Sequence, residues 1–66
     1  MSLTVNGQPH EAPAGTSVAG LLEQLGLAST ACAAEVNKAL VPKGRHASHE
    51  LADGDTVEIV TLVGGG

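Results

Sequence analysis

The stretch that decides the fold is Ser17-Val18-Ala19-Gly20-Leu21-Leu22-Glu23-Gln24-Leu25-Gly26. Its branched apolar side chains recur at the i, i+3, i+4 and i+7 spacing that places them on one face of an α-helix. They are Val18, Leu21, Leu22 and Leu25. Thr16 and Ser17 supply hydroxyl groups where an N-cap is needed, and Gly26 fits the left-handed position that commonly ends a helix. We therefore predict one amphipathic helix over about residues 18–25.

Two strands joined by a tight turn are predicted before the helix. Residues 2–5 alternate polar and apolar side chains, and Asn6-Gly7 is typical of a two-residue hairpin turn in which both residues adopt positive φ. The returning strand, residues 8–12, contains Pro9, which has no backbone N–H to donate. A strand of this kind belongs at the edge of a sheet.

A second hairpin is predicted after the helix. Apolar side chains alternate from Cys32 to Val36, and Asn37-Lys38 turns the chain toward Leu40-Val41-Pro42.

The remaining residues predict a loop and one long strand. Residues 43–50 have no apolar period and read as a surface loop, with a helical turn near Leu51. Asp53-Gly54-Asp55 forms a tight turn, and residues 56–63 form the longest strand.

Together these elements predict an α+β fold. One amphipathic helix can cover one face of one small sheet, and a right-handed crossover returns the later strands to the same sheet. In a compact arrangement the last strand lies centrally, beside the first and parallel to it. This is the β-grasp, or ubiquitin-like, architecture, a mixed sheet of four to five strands under a single helix, in one domain over residues 1–66. The helix is expected to pack on Leu3, Val5, Val36, Val57 and Ile59.

The amino-acid composition limits the functions that this chain can have. The 66 residues include no Phe, Tyr or Trp, so the core must be built from eight Leu, seven Val and one Ile with the help of Ala. One cysteine cannot form an internal disulfide, and neither a secretory signal nor an apolar stretch of about 20 residues is present, which predicts a cytoplasmic protein. A net charge of −4 without aromatic side chains disfavours nucleic-acid binding and favours a basic surface on a protein partner.

The sequence ends in three glycines, Gly64, Gly65 and Gly66. Because glycine has no Cβ, such a tail is expected to be flexible and thin enough to enter a narrow channel on a partner and present its carboxylate there. The alternative at this level is an ordinary frayed chain terminus.

The order and spacing of these features resemble the ThiS family, the ubiquitin-like sulfur carrier proteins of thiamine biosynthesis, over essentially the whole chain. The residues that carry the resemblance are Val5-Asn6-Gly7, the helix from Ser17 to Leu25, Val36-Asn37, Leu40-Val41-Pro42, the segment from Asp53 to Val60 and the terminal Gly65-Gly66. Gly64 is one further glycine before that diglycine.

The resemblance implies a carrier protein and not an enzyme, with the Gly66 carboxylate as its reactive group. An activating enzyme that uses ATP and magnesium would adenylate this carboxylate, with residues 64–66 in its channel. Sulfur from a persulfide donor would then replace AMP to give a thiocarboxylate, and thiazole synthase would accept the sulfur. The carrier itself would bind no cofactor and no metal. In agreement, the sequence has neither a phosphate-binding Gly-x-x-x-x-Gly-Lys loop nor a convincing pair of nucleophile and base.

Several side chains allow other interpretations. Cys32 could be a reactive thiol, but it shares a strand face with Ala34 and Val36, which favours burial in the core. His10 is expected to be exposed on the edge strand. Five further residues could be imagined as a metal site. Their spacing matches no established ligand pattern, however, so we expect them to lie in a solvated loop. They are His46, His49, Glu50, Asp53 and Asp55.

Three other functions are compatible with such a chain. It could carry sulfur for molybdopterin, as the small subunit of molybdopterin synthase does, although that subunit is usually longer and has aromatic residues. It could be joined to other proteins through an isopeptide bond, or it could be a β-grasp binding module without covalent chemistry. Adenylation of Gly66 would separate the last of these from every carrier function.

The last strand also predicts a docking surface. Val57 and Ile59 are two residues apart in the strand, so both should face the helix. Leu62, or Val60 if the strand is locally irregular, should then reach the opposite face. Contiguous exposed apolar surface commonly marks a binding site, whereas a single exposed aliphatic side chain is ordinary. Val60 and Leu62 are therefore the predicted partner-binding residues, beside the tail.

Overall fold

The computed structural model describes residues 1–62, which form one mixed five-stranded sheet with a single α-helix on one face. The strands are β1 (Ser2–Val5), β2 (Gln8–Glu11), β3 (Cys32–Val36), β4 (Ala39–Val41) and β5 (Thr56–Thr61), and the helix is α1 (Val18–Gln24). The strand order in the sheet is β2-β1-β5-β3-β4. The predicted β-grasp fold is thus confirmed, with β5 central and parallel to β1. Within residues 1–62 no helix is long and apolar enough to cross a membrane.

Helix α1 begins at the predicted residue and ends one residue earlier than predicted. The Ser17 side chain accepts a hydrogen bond from the backbone N–H of Gly20 at 3.0 Å, which satisfies one of the free amides of the first turn. The last helical residue is Gln24, Leu25 is the C-cap, and Gly26 follows with φ +76°. The helix is therefore one residue shorter than predicted and ends with the left-handed glycine.

Two asparagines turn the chain and also hold the central strand. Asn6 and Asn37 each start a two-residue hairpin turn with positive φ, followed by Gly7 and Lys38 respectively. The Asn6 side-chain oxygen accepts from the Ile59 amide at 2.7 Å, and the Asn37 side-chain oxygen accepts from the Thr56 amide at 3.0 Å. Both hairpins are therefore tied to β5 by the residues that form their turns.

The core lies between α1 and the sheet. Among the described residues its buried apolar members are Leu3, Val5, Ala12, Val18, Leu21, Leu22, Cys32, Ala34, Val36, Val41, Leu51, Val57 and Ile59. Val18, Leu21 and Val57 are fully buried. Leu25, predicted as part of the apolar helix face, is only partly buried and packs at the margin of this cluster. The core is thus a single thin layer of aliphatic side chains.

The segment between β4 and β5 differs from its prediction. The helical turn expected near Leu51 lies earlier, as a 3-10 turn over Lys43–Arg45. Leu51 instead extends along the start of the helix, where its N–H donates to the Thr16 carbonyl at 2.9 Å and its side chain is buried. The cause is a tertiary contact, because the backbone of residues 50–51 pairs with residues 16–17 and not with its sequence neighbours.

Two histidines are less exposed than expected. His46 was expected in a solvated loop, yet it is buried, with Nε2 3.0 Å from the Val41 carbonyl oxygen. Because a carbonyl only accepts, Nε2 carries the hydrogen and caps the edge of β4. His10 is half-buried and not exposed, because its pairing with Leu3 places it on the helix side of the sheet, 3.3 Å from Gln24 Oε1.

The end of the chain is described only in part. Strand β5 ends at Thr61, whereas the prediction extended it to Val63. Val63 and the predicted flexible tail, residues 64–66, lie outside the described residues.

Candidate functional site

The described part of the chain ends at Leu62, directly after the central strand β5. Thr61 pairs with Cys32 in the β3–β5 ladder, and the next residue, Leu62, donates its N–H to the Ala31 carbonyl at 2.8 Å. Leu62 is therefore anchored in position and forms the root of the tail. The predicted reactive residue, Gly66, and the predicted channel residues, Gly64 and Gly65, lie outside the described residues.

Strand β5 presents different residues to its two faces. Val57 and Ile59 are buried under α1, as their parity predicts, whereas Val60 is 61% exposed and Leu62 is 53% exposed. The β3–β5 register is continuous, with Ala33 opposite Val60 and Ala34 opposite Ile59. Val60 therefore reaches the outer face by ordinary alternation, and the local irregularity expected there is absent from the described part of β5.

The side of the sheet away from α1, which we call the open face, includes Ala33, Glu35, Leu40, Glu58 and Val60. Leu40 is 65% exposed and lies opposite Glu35 in the β3–β4 ladder. The large exposed hydrophobic residues of the described chain are thus Leu40 and Val60 on the open face and Leu62 directly after it. The sequence analysis did not identify Leu40 as a surface residue. Its place next to Val41 could have indicated this, because adjacent residues of a strand face opposite sides of the sheet.

The open face is acidic as well as apolar. Glu35 and Glu58 are direct cross-strand neighbours, an arrangement that is destabilising for like charges. Within residues 1–62 the one ion pair joins the Met1 amino group to Glu11 at 3.8 Å, so neither glutamate is neutralised by a described side chain. A partner that supplies a cation between them would remove this repulsion.

The other candidate residues have structural roles. Cys32 is buried in the core, as its strand parity predicts. Asp53 Oδ1 accepts from the Ser2 amide at 2.6 Å, while Asp55 accepts from the Ala52 amide at 2.8 Å and from Asn37 Nδ2 at 3.0 Å. These carboxylates close turns, and residues 1–62 contain no group of three or more potential metal ligands.

Comparison with known proteins relates this geometry to a family. The model of the ThiS family matches residues 3–66. The chain belongs to the ThiS family. The resemblance inferred from the sequence is thus confirmed.

Several relatives match the whole chain. The sulfur carrier protein ThiS of Escherichia coli is 33% identical over 66 residues, which is the full length of both proteins. A thiazole synthase of Magnetococcus marinus is 44% identical and one of Paramagnetospirillum magneticum is 41% identical, each over all 66 residues. The chain spans only 20% of the length of each of these two synthases.

A solved structure shares the fold. The crystal structure of the thiamine biosynthesis protein ThiS from Geobacter metallireducens superimposes with a TM-score of 0.83 and 32% sequence identity, over the full length of both chains. The five-stranded sheet and its single helix are thus the family's fold.

Proposed function

We propose that this ThiS-family chain is a sulfur carrier of thiamine biosynthesis and is a substrate of its partner enzymes, not itself an enzyme. The observation that carries the proposal is the match to the E. coli sulfur carrier protein, which covers both chains completely and so includes Gly66. The family model likewise extends to residue 66. The reactive position is then the Gly66 carboxylate.

The chemistry requires activation before sulfur enters. Attack on a free carboxylate would have to expel oxide, whereas attack on an acyl-adenylate expels AMP. An activating enzyme therefore adenylates Gly66 with ATP and magnesium and releases pyrophosphate. The terminal sulfur of a persulfide donor then displaces AMP to give an acyl disulfide, and a thiol cleaves this disulfide to leave the thiocarboxylate and a new disulfide on the donor. The thiocarboxylate donates sulfur for thiazole formation. ATP, metal and catalytic side chains all belong to the partner.

The tail suits delivery into a partner's active site. Gly64, Gly65 and Gly66 have no side chains to collide with channel walls. Gly66 lies four residues after the anchored Leu62, and four residues span at most about 14 Å when extended. The enzyme that receives the tail must therefore dock close to the end of β5.

Thiazole synthase is the proposed acceptor of the sulfur. In the two bacterial relatives that bear this name, a segment similar to the whole chain is part of a longer polypeptide. A carrier and its acceptor in one polypeptide would gain a high effective concentration for transfer. This supports thiazole synthase as a partner of the present chain.

The proposal is tested by activation in vitro. The purified chain, with ATP and magnesium, should support exchange of pyrophosphate into ATP on the activating enzyme. A β-grasp module without covalent chemistry would support none, and that outcome would reject every carrier function. Transfer to a molybdopterin synthase instead of thiazole synthase would reject the thiamine assignment alone.

Val60 and Leu62 are proposed to anchor partner enzymes beside the tail. Leu62→Asp should weaken docking by roughly tenfold or more, because it places a charge where an apolar contact is buried in the complex. The free domain should lose little stability, since Leu62 is 53% exposed. Equilibrium binding to the activating enzyme and to thiazole synthase measures the effect.

Ala52→Asp is the matched control for Leu62→Asp, because it adds the same charge at an exposed residue in a turn. Its affinities should stay near those of the wild type. If Leu62→Asp also binds both enzymes normally, Leu62 is not an anchor and the tail alone is recognised.

A further inference from the structure

The large exposed hydrophobic residues of this domain lie together at one end of the open face. Within residues 1–62 they are Leu40, Val60 and Leu62. Val60 pairs with Ala33, and Leu40 lies one strand further across the sheet, in β4. We call these four residues the outer patch. Because contiguous exposed apolar surface commonly marks a binding site, the outer patch is suited to contact with another protein.

The charged residues beside the outer patch have both signs. Glu35 lies opposite Leu40, and Glu58 lies opposite Glu35. Lys38 lines a shallow concavity together with Glu58, although the two side chains form no ion pair. A charged partner would therefore meet both attraction and repulsion on this face. The apolar side chains are the feature that different partners can use alike.

The length of the tail decides which partners contact the outer patch. Gly66 lies four residues after Leu62, whose amide is fixed to the Ala31 carbonyl at 2.8 Å. The proposed function requires two enzymes to hold Gly66 in turn, one for activation and one for sulfur transfer. Four residues span at most about 14 Å, so each active site must lie within that distance of Leu62. Both enzymes must therefore contact the domain at the same end of β5.

The domain is too narrow for two separate interfaces at that end. A standard interface covers about 800 Å² on each partner, which is roughly 25 Å across when the interface is compact. The domain measures 35 × 23 × 22 Å, so one such interface spans its width. Leu40 lies two strand spacings from β5, which is about 10 Å across the sheet. An interface of ordinary size that includes Val60 and Leu62 therefore also reaches Leu40.

The helix side of the domain offers no comparable anchor near the tail. A groove between α1 and residues 28–31 also borders Ala31, but small residues form most of its lining. Its charged residues, Lys43 and Glu23, have opposite signs, and none of the large exposed hydrophobic residues within residues 1–62 lies in it. The outer patch is thus the apolar surface that the described chain offers to both enzymes.

We propose that the activating enzyme and thiazole synthase bury the same outer patch, including Leu40, and therefore bind the carrier in alternation. This inference rests on the proposed function, because it assumes that both enzymes hold the tail. Leu40 then anchors both enzymes, and the carrier must dissociate from one before the other binds. An excess of activating enzyme should consequently slow sulfur delivery, since it sequesters the carrier.

Leu40→Lys in the full-length carrier tests whether the surface is shared. Glu35 lies opposite and can pair with the new cation in the free domain, whereas either complex would bury the charge against apolar groups. The affinities for purified activating enzyme and purified thiazole synthase should each fall about tenfold. Ala52→Lys is the control, because it adds the same side chain at an exposed residue before β5, far along the strand from Leu62. Its affinities should stay within about twofold of the wild type.

Leu40→Ala is the second variant, because it removes apolar surface without adding a charge. Both affinities should fall about fivefold. In a competition experiment without ATP, the activating enzyme should displace wild-type carrier from thiazole synthase. Loss of affinity for only one enzyme or for neither in the Leu40 variants would overturn the proposal, as would failure of displacement at a saturating concentration. Failure of the proposed function is distinct, because the wild-type chain would then support no pyrophosphate exchange.

Discussion

A Gly65→Val carrier should fold normally and yet fail to be adenylated. The added branched side chain would collide with the walls of a channel that admits a thread of glycines, so the carboxylate would not reach the nucleotide. Displacement of a reacting group by about 1 Å can cost on the order of a hundredfold in rate, and a tail stopped at the channel entrance should lose more. Pyrophosphate exchange with the activating enzyme, at a carrier concentration that saturates the wild type, measures the loss.

Gly44→Val is the matched control for Gly65→Val. A Cβ at Gly44 would meet no atom within 4 Å, and the φ angle there is not in the left-handed region, so the same substitution is tolerated sterically. Its exchange rate should stay near that of the wild type. Normal exchange by the Gly65→Val protein would contradict the channel argument, whatever the control shows.

Leu21→Ala should remove much of the stability of the domain. Leu21 is fully buried and belongs to the core between α1 and the sheet. Leucine to alanine in such a site costs about 3 to 5 kcal/mol through lost burial and the cavity left behind. A domain of this size, without disulfide or metal, commonly has only about 5 kcal/mol in total. Urea unfolding followed by circular dichroism should therefore show a variant that is largely unfolded or close to it.

Leu40→Ala makes the same chemical change on the open face, where Leu40 is 65% exposed. Its effect on the free energy of unfolding should be within about 0.5 kcal/mol. A Leu21→Ala protein as stable as Leu40→Ala would mean that the helix does not supply the core as described.

Local signals in the sequence were sufficient to predict most of the fold. The helix follows from the spacing of its leucines, the Ser17 cap and Gly26, each of which acts within a few residues. The first turn follows from Asn6-Gly7, and the edge position of β2 from Pro9. Once one helix and two hairpins are assigned, only a few placements of the last strand can complete the hydrophobic core.

Long-range contacts explain what the sequence did not reveal. The burial of His46 depends on the Val41 carbonyl, with which its ring forms a hydrogen bond, and the second role of Asn6 depends on Ile59, 53 residues away. The 3-10 turn at Lys43–Arg45 replaced the one expected near Leu51 because Leu51 bonds to Thr16. None of these partners can be identified from periodicity.

The candidate site could be predicted only in part, because some of its features also depend on long-range contacts. Burial of Val57 and Ile59 follows from alternation, and so does the exposure of Val60. The cross-strand pair of Glu35 and Glu58 requires the register of β3 with β5, which sequence patterns do not fix.

If the chain donates sulfur for thiazole formation, its Gly66 carboxylate must become a thiocarboxylate. Intact-mass spectrometry of the chain isolated from its native cells, with thiol alkylation avoided, tests it most directly. We expect a fraction of molecules that is heavier by the replacement of one oxygen with sulfur, and fragmentation should place the change at Gly66. Fragmentation that places every added sulfur elsewhere, or only unmodified chain when the activating enzyme and persulfide donor are active in the same cells, would contradict it.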